Sequence, residues 1–359
     1  MRIVVTGATG NVGTSLLERL SREDAVDSVL GLARRRPTLE LPKVTWAEAD
    51  VSSSDLEPHF RGADAVVHLA WLIQPSRQLD VLEATNVEGT ARVLAAAGRA
   101  GVGALVYASS VGAYSAGPKD RAVDEGWPTD GIPTSFYSRH KAATERLLDG
   151  FETTHPGVRV VRLRKALIFK REAASGIRKL FVGRLVPGAL LRPERIPVVP
   201  RHPRLVFQAV HTRDVAEAYR LALLSDARGA FNIAADPVLD SEGLGRVLDA
   251  RPLPTPGPAL RVAAGLSWRL RLQPTPPGWV DLALGAPVLD TTRARTELGW
   301  RPTVASGDAL RELLVGLADG ACAPTPPLAP RTTVPRRGMP DRLTRQPGAR
   351  LRASERVGA

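Results

Sequence analysis

The first thirteen residues contain the feature that most limits how this chain can fold, a short apolar segment that runs directly into evenly spaced glycines. Residues 3–5 are Ile-Val-Val, which suits a buried parallel strand, and the apolar residues after Asn11 have helical spacing. Gly7, Gly10 and Gly13 therefore stand at a strand-to-helix junction. Glycine backbone can approach a ligand closely, and the free N–H groups of a helix N-terminus suit a phosphate. We predict a dinucleotide site here, with an ordinary tight turn as the alternative.

Strand-like and helical segments alternate through the first half of the chain, which is typical of a doubly wound parallel sheet. Further strands are predicted at 28–33, 44–47, 65–69, 104–108 and 158–163, and the clearest helix at 82–100. His68 and Ser109–Ser110 end two of these strands, at the sheet edge where such folds bind ligands. We therefore predict a Rossmann-type α/β fold with a site along that edge.

The remainder of the chain is expected to add a smaller C-terminal α/β substrate lobe. Residues 1–164, with 205–236 returning to them, are assigned to the NAD(P)-binding domain, and 165–204 with 237–318 to the lobe. Apolar helical segments such as 260–272 are expected to be ordinary core. Residues 320–359 are rich in Pro and Arg without apolar periodicity, so we predict a disordered basic tail.

The formal net charge of +12 on 359 residues suggests a polyanionic partner until the charges are located. Residues 331–359 supply +6 of it and contain no aromatic side chain that could stack on bases, so we expect a solvated tail and no nucleic-acid partner. The single cysteine, the absence of a long apolar stretch and the early first strand favour a cytoplasmic protein without a membrane partner. The isolated histidines, such as His68 and His211, lack ligand spacing, so no metal is expected.

Tyr137 and Lys141 stand four residues apart in a helical segment, so their side chains are expected on one face, one turn apart. A phenol titrates near about pH 10, and a neighbouring ammonium favours its ionised form. The pair can therefore donate or accept a proton. A surface tyrosine beside a solvated lysine is the alternative, but Ser110 and the glycine turn are predicted at the same sheet edge.

Together these motifs resemble the extended short-chain dehydrogenase/reductase family, in the branch of the NAD-dependent epimerases and dehydratases. The resemblance covers residues 1–318. The matching segments are the glycine-rich turn 6–13, Asp50–Val51 after strand 3, 85–90 around Asn86, 109–114, 137–141, 210–216, 231–234 and 291–302.

The resemblance implies that Ser110, Tyr137 and Lys141 are catalytic. Tyr137 would exchange a proton with the substrate oxygen during hydride transfer, Lys141 would lower the pKa of the tyrosine and hold the nicotinamide ribose, and Ser110 would bind the substrate carbonyl. The implied cofactor contacts are Gly7, Thr9, Gly10, Asn11, Val12, Gly13, Arg34, Arg35, Asp50, Val51, Leu69, Ala70, Asn86, Tyr137 and Lys141.

The end of the second strand bears on the choice of cofactor. Enzymes that prefer NAD usually place an acidic residue there, whereas this chain has Arg34 and Arg35. A guanidinium can bind a 2′-phosphate with charge-assisted hydrogen bonds, so NADP(H) is favoured and NAD(H) is the alternative.

Several positions depart from the sugar-nucleotide members of the family. Leu167 stands where an asparagine is usual, Phe207 stands where an arginine often binds diphosphate, and Trp71 adds a large ring near the expected pocket. With Trp71, Ser110 and Leu167 as the substrate contacts, we expect a less polar carbonyl or alcohol.

The leading hypothesis is therefore an NADP(H)-dependent oxidoreductase that acts on a small molecule. The alternative is an NAD-dependent nucleotide-sugar epimerase or dehydratase, and the third possibility is a non-catalytic dinucleotide-binding redox sensor. Helices around 82–100 and 138–148 are compatible with a homodimer, as they are with simple packing on the sheet.

Overall fold

A computed structural model describes residues 1–74, 76–182 and 187–330. Thirteen strands are present in these residues: β1 Arg2–Thr6, β2 Ser28–Ala33, β3 Val44–Glu48, β4 Ala65–His68, β5 Ala104–Tyr107, β6 Ala122–Val123, β7 Arg159–Lys165, β8 Leu167–Phe169, β9 Val198–Arg201, β10 Ala209–His211, β11 Gly229–Ile233, β12 Arg251–Pro254 and β13 Val288–Leu289. The α-helices are α1 Asn11–Leu20, α2 Glu57–Phe60, α3 Leu79–Glu83, α4 Gly89–Ala100, α5 Phe136–Thr154, α6 Ala174–Ile177, α7 Thr212–Leu224, α8 Ser241–Leu248, α9 Gly257–Arg269, α10 Gly278–Gly285, α11 Thr292–Glu297 and α12 Ser306–Asp319.

The central sheet has seven strands in the order β11-β7-β5-β4-β1-β2-β3. Every neighbouring pair in it is parallel. Three further two-stranded sheets join β8 to β10, β9 to β12 and β6 to β13. In this order β1 lies inside the sheet between β4 and β2, and the chain winds outward from it on both sides, which confirms the predicted Rossmann-type α/β fold.

Both faces of the sheet are buried, which explains why its strands are continuously apolar. Ile3 and Val5 of β1 point to the layer that contains α1 and α7, whereas Val4 points to the layer that contains α4 and α5. Strand side chains alternate between faces, so three consecutive apolar residues serve two cores. Trp300 is also fully buried in the first core, where its indole donates to the Asp214 backbone oxygen at 2.8 Å.

The segment predicted as a single helix at 82–100 consists of three pieces. Helix α3 is followed by a π-helical turn at Ala84–Glu88, and α4 begins at Gly89. The wider turn contains Asn86, whose side chain is fully buried. Such turns often occur at functional sites, and hydrophobic spacing alone does not reveal them.

The C-terminal part differs from the prediction in two places. Helix α9 contains no buried residue, so its apolar side chains are not ordinary core. Residues 321–330 pack against α6 and the π-helical turn after it, with Leu328 buried and the Lys179 ammonium 2.8 Å from the Ala329 carbonyl oxygen. The predicted tail therefore starts too early at 320, and residues 331–359 lie outside the described residues. None of the helices in the described residues is long and apolar enough to cross a bilayer.

Candidate functional site

The turn between β1 and α1 can be built only from glycine at two of its positions. Gly7 has a φ of +69°, and a Cβ atom there would lie 2.6 Å from the Ala70 nitrogen. A Cβ atom on Gly13 would lie 2.4 Å from the Ala8 carbonyl oxygen. Both contacts are with backbone, which cannot move aside, so these glycines bring the turn against β4 and α1 against β1.

The N-terminus of α1 is free to bind an anion. Gly10 is the N-cap, no side chain caps the helix, and the first turn contains no acidic residue. The Oδ1 atom of Asn11 is buried and has no hydrogen-bond partner in the described residues. Open helix N–H groups, a cradle that Cβ atoms would fill and an unpartnered polar atom fit the pyrophosphate of a dinucleotide. Thr9 and Val12 lie in the same turn.

A hydrogen-bonded chain joins this turn to the π-helical turn at 84–88. His68 Nδ1 is 2.7 Å from Thr6 Oγ1, and His68 Nε2 is 3.0 Å from Thr90 Oγ1. The Thr90 hydroxyl donates to the Asn86 carbonyl oxygen at 2.6 Å, and the Ala70 N–H donates to Thr6 Oγ1 at 3.4 Å. Burial, aided by the charge of Lys141, lowers the pKa of His68 to about 3, so the ring is neutral. His68 is structural, as expected.

The loop after β4 is fixed by Asn86. Its Oδ1 accepts from the Leu72 N–H at 2.7 Å, and its Nδ2 donates to the Leu72 carbonyl oxygen at 2.8 Å. The start of this loop is hydrogen-bonded to β1, because the Leu69 N–H donates to the Thr6 carbonyl oxygen at 3.1 Å. Asn86 therefore holds the loop that contains Trp71, and its predicted cofactor contact stays a prediction.

The predicted adenosine end lies at the carboxyl ends of β2 and β3. Arg34 and Arg35 are exposed, and no carboxylate in the described part of the chain pairs with either guanidinium. Asp50 Oδ1 accepts from the Ser52 N–H at 2.9 Å and from the Ser52 hydroxyl at 2.7 Å. Val51 is buried, and a Cβ atom added to Gly89 would lie 3.0 Å from the Val51 side chain.

Ser110, Tyr137 and Lys141 meet where β5 joins the 3₁₀ turn Val111–Ala113 and faces the first two turns of α5. Ser110 caps the 3₁₀ turn by accepting from the Gly112 N–H at 3.0 Å. A Cβ atom on Gly112 would lie 2.7 Å from Tyr137 Cε1 and 3.5 Å from Ser110 Oγ, so glycine lets the phenol and the serine approach each other. This role of Gly112 depends on the folded chain and could not be predicted from the sequence.

Lys141 is buried below Tyr137 and has no carboxylate within ion-pair distance in the described residues. Its ammonium donates to the Ala108 carbonyl oxygen at 2.7 Å and lies 3.4 Å from the centre of the Trp71 ring. Burial first, and the charge of Lys165 next, lower the pKa of Lys141 well below its usual value. Burial raises the pKa of Tyr137, and a hydrogen bond with Ser110 opposes that rise. Lys141 is buried and Tyr137 is partly exposed, and their surroundings shift the proton affinities of both groups.

Aromatic side chains surround Tyr137. The Trp71 ring centre is 5.9 Å from that of Tyr137 and the Trp279 ring centre is 5.0 Å from it. Phe181 stands edge-on to Trp279 at 4.9 Å. The indole N–H groups of Trp71 and Trp279 are buried without hydrogen-bond partners in the described residues. Trp279 and Phe181 were not predicted as site residues, because only the fold brings α10 next to α5 and the turn at 178–182 next to α10. Leu167, a predicted substrate contact, is exposed on β8.

A buried lysine lies behind the site. Lys165 ends β7, forms a bridge pair with Ser110, and donates to the Tyr219 hydroxyl at 2.9 Å. Burial lowers its pKa to about 7. The sequence gives no sign of this burial, because lysine is ordinarily a surface residue.

A buried ion cluster anchors α5 to β7 beside this site. Glu145 binds Arg162 at 3.0 Å and Arg164 at 2.9 Å, and it accepts a hydrogen bond from Ser109. Arg164 also donates to the Tyr114 hydroxyl at 3.1 Å. The cluster fixes the helix that carries Tyr137 and Lys141 relative to the strand that follows it.

Comparisons with known proteins agree with this geometry. The family model of the NAD dependent epimerase/dehydratase family matches residues 3–234. An uncharacterized protein of Mycobacterium tuberculosis is 26% identical over 321 residues, which cover 88% of this chain and 30% of that protein. The chain thus spans less than a third of the length of the first curated relatives it matches.

A shorter relative and a solved structure resemble the chain over nearly their full length. The dTDP-glucose 4,6-dehydratase of Streptomyces niveus is 28% identical over 336 residues, covering 87% of this chain and 91% of that enzyme. The structure of Thermus thermophilus UDP-glucose 4-epimerase in complex with NAD has a TM-score of 0.63 at 24% identity, covering 88% of this chain and 99% of the other. The structural likeness establishes the shared fold, and the family match extends over most of the chain. The chain belongs to the NAD-dependent epimerase/dehydratase family.

Proposed function

We propose that this chain is an NADP(H)-dependent oxidoreductase that reduces a weakly polar carbonyl compound to an alcohol or catalyses the reverse reaction. The observation that carries the proposal is the meeting of Ser110, Tyr137 and Lys141 in an aromatic-lined site at the sheet edge that also holds the uncapped N-terminus of α1. Hydride transfer to a carbonyl group requires a proton donor beside the bound dinucleotide, and this arrangement would provide both.

Each residue has a definite task in this mechanism. The bound nicotinamide would supply or accept the hydride at the carbon of the reacting group. In the reductive direction, the Ser110 hydroxyl hydrogen-bonds the substrate oxygen, and the Tyr137 hydroxyl donates its proton to that oxygen as negative charge develops. Lys141 stabilises the phenolate that Tyr137 becomes, since a nearby ammonium favours the ionised phenol.

The turn at 7–13 would hold the pyrophosphate through the N–H groups of α1. Arg34 and Arg35 would bind the 2′-phosphate of NADP(H), because both guanidinium groups are exposed and free of carboxylate partners in the described residues. The relative from Streptomyces niveus and the solved epimerase give no support for NADP(H) over NAD(H), so the preference depends on these two arginines alone.

The substrate contacts of this mechanism are aromatic. Trp71, Trp279 and Phe181 give Tyr137 apolar surroundings, in which the indole N–H groups of Trp71 and Trp279 are buried and have no hydrogen-bond partner in the described residues. Aromatic walls with a few polar groups suit a weakly polar, planar molecule better than a sugar diphosphate.

Substitution of Tyr137 by Phe tests the proposal. We expect turnover with NADPH and a panel of aromatic and aliphatic carbonyl compounds to fall by about a hundredfold or more, with NADPH affinity unchanged. Tyr114→Phe is the matched control, because it also removes a buried hydroxyl, which in this case donates to Asn232 Oδ1 at 2.7 Å and accepts from Arg164 at 3.1 Å. It therefore measures the general effect of losing a buried hydroxyl near α5. Unchanged turnover in Tyr137→Phe, with NADPH still bound, would refute the role of the tyrosine and favour the non-catalytic sensor.

A nucleotide-sugar epimerase or dehydratase is the second candidate, favoured by the similarity to a dTDP-glucose 4,6-dehydratase. Such an enzyme recycles its NAD, so the cofactor should copurify and resist exchange. Fluorescence titration with NADPH and NADH, before and after unfolding and refolding to strip bound cofactor, separates the two candidates. Freely exchanging NADPH supports the reductase, whereas tightly retained NAD(H) supports the epimerase or dehydratase.

A further inference from the structure

Helix α9 exposes the side of its surface that an amphipathic helix normally buries. Val262, Leu266 and Leu270 are spaced four residues apart and are 68%, 57% and 60% exposed, and Leu272 just beyond them is 47% exposed. We call these four side chains the apolar stripe. Large apolar residues exposed in a row mark an interaction surface more often than an ordinary one.

The helix is held to the protein from its other side. The Arg77 guanidinium lies 4.1 Å above the Trp268 ring, and Arg261 forms an ion pair with Asp281 of α10 at 2.9 Å. Gln273 donates to the Ala264 carbonyl oxygen at 3.1 Å. These contacts leave the apolar stripe without a function in attaching the helix to the fold.

Positive charge accompanies the apolar stripe. Arg269 and Arg271 are exposed, and in the part of the chain that the structure describes neither forms an ion pair. Residues 257–273 contain no acidic residue. An apolar face flanked by cations suits a lipid surface with negative headgroups, where the apolar side chains enter the interface and each arginine gains electrostatic attraction.

A second copy of the chain fits this surface less well. Each copy would bring the same arginines to the contact, and the stripe comprises four side chains, whereas a stable protein interface takes about 20–30 residues from each partner.

We propose that the apolar stripe of α9 docks on membrane surfaces that contain anionic lipid, so that the chain binds the bilayer peripherally. This departs from the sequence-based expectation of no membrane partner, since the sequence does not show which side of α9 is covered. The proposal does not depend on catalysis, but the two fit together. Gln74, three residues after Trp71, donates to the Pro274 carbonyl oxygen at 3.0 Å, which ties the segment after α9 to the loop at the aromatic site.

Vesicle sedimentation of the full chain tests the proposal. The vesicles are phosphatidylcholine alone or phosphatidylcholine mixed with phosphatidylglycerol. We expect the wild-type protein to sediment with the mixed vesicles and to bind neutral ones about tenfold or more weakly. The triple variant Val262→Ser, Leu266→Ser, Leu270→Ser should lower the partition coefficient on mixed vesicles by about tenfold or more.

The matched control replaces Leu190, Val198 and Leu224 by Ser. These side chains are 54%, 45% and 36% exposed on other elements, so the same chemistry is removed away from the stripe. This variant should bind mixed vesicles within about threefold of wild type. Circular dichroism and thermal melting verify that both triple variants are folded.

Three results would overturn the proposal. The wild-type protein could ignore both kinds of vesicle, or the control and stripe variants could lose binding equally. Lastly, sedimentation velocity could reveal self-association that the stripe variant abolishes, which would assign the stripe to a second copy of the chain. Because vesicle binding is measured without substrate or cofactor, it can fail while the oxidoreductase proposal stands, and the reverse also holds.

Discussion

Glu145 binds two buried arginines, so we expect it to contribute to how the fold responds to acid. Burial alone would raise the pKa of its carboxyl, but hydrogen bonds and charge from Arg164, with help from Ser109 and Arg162, lower it to about 2. An unperturbed glutamate titrates at 4.5. A carboxyl whose pKa is depressed on folding contributes stability that is complete above the unfolded value and is lost as pH falls towards the folded value.

We therefore expect the free energy of unfolding of the wild-type protein to fall as the pH drops from 4.5 to about 2. Glu145→Gln removes this contribution and leaves the buried Arg164 without a carboxylate partner, whereas Arg162 keeps its ion pairs with Asp149 and Glu152. We expect the loss of the Arg164 partner to cost about 3–5 kcal/mol at neutral pH. Urea unfolding at a series of pH values measures both effects. Glu152→Gln, at a half-exposed partner of Arg162, is the control with a smaller loss. Identical pH profiles for Glu145→Gln and wild type would show that the cluster does not control acid stability.

Arg34 and Arg35 carry the cofactor preference. Replacing both by Gln should raise the Kd for NADPH by about 10- to 100-fold, because charge-assisted hydrogen bonds to the 2′-phosphate are lost, and should leave the Kd for NADH within about threefold. Fluorescence titration measures both constants. Arg36→Gln, at the next exposed arginine, is the matched control. Equal losses for the two cofactors would contradict a specific phosphate contact.

At the scale of single residues, the sequence predicted the site residues that form a recognisable motif. Tyr137 and Lys141 were predicted to share a helix face, and the structure places them there with Ser110 adjacent. Lys165 and Trp279 could not be predicted, because burial of a lysine and contact across more than a hundred residues depend on tertiary packing. Their roles at the site are properties of the folded chain.

At the scale of elements, the glycine turn is the part most sensitive to substitution. Gly13→Ala would place a methyl group 2.4 Å from the Ala8 carbonyl oxygen. We expect it to cost about 1–3 kcal/mol of stability and to weaken NADPH binding by about tenfold or more, since α1 must move away from the turn. Thermal unfolding and cofactor titration measure the two effects.

The control for this substitution is Gly150→Ala. Gly150 also lies in a helix, α5, but a Cβ atom there would contact nothing within 4 Å. Alanine should therefore stabilise the protein by about 0.5–1 kcal/mol, because it costs less backbone entropy than glycine in a helix. If the Gly13→Ala protein were as stable as wild type and bound the cofactor with full affinity, the turn would be able to accommodate a Cβ atom at position 13, contrary to this prediction.

Strands β1 to β5 and β7 were predictable because each is a short apolar run between turn residues, and their observed bounds lie within two residues of the predicted ones. Strand β11 of the central sheet and the strands of the two-stranded sheets were not predicted as strands. The π-helical turn was not, since its sequence continues the helical spacing of α3 and α4. Helix α9 shows the opposite limit. Its amphipathic pattern is real, but a pattern cannot state whether the apolar side faces protein or solvent.

At the scale of the whole molecule, the charge is unevenly distributed. Residues 331–359 supply +6 of the net +12. We expect a chain that ends at residue 330 to keep its melting temperature within about 2 °C and its NADPH affinity within about twofold, because it retains the buried Leu328 and the hydrogen bonds from Ser175 to the Leu328 carbonyl oxygen and from Lys179 to the Ala329 carbonyl oxygen. It should elute earlier than the full chain from a cation-exchange column. A large drop in melting temperature would show that the last 29 residues belong to the folded unit.

The hydrogen-bonded chain through His68 has a definite direction. The Thr90 hydroxyl gives its proton to the Asn86 carbonyl oxygen, so it must accept from Nε2–H of the ring. In the neutral imidazole Nδ1 is then bare and accepts from the Thr6 hydroxyl, which itself accepts from the Ala70 N–H. One tautomer satisfies every group, and a second proton on the ring would have no acceptor. Histidine often changes its charge near neutral pH, but the His68 ring stays uncharged there and only connects the neighbouring hydrogen bonds. An inflection in a pH–rate profile at neutral or mildly alkaline pH therefore fits a buried lysine of lowered pKa, such as Lys141 or Lys165 at the site, and not His68.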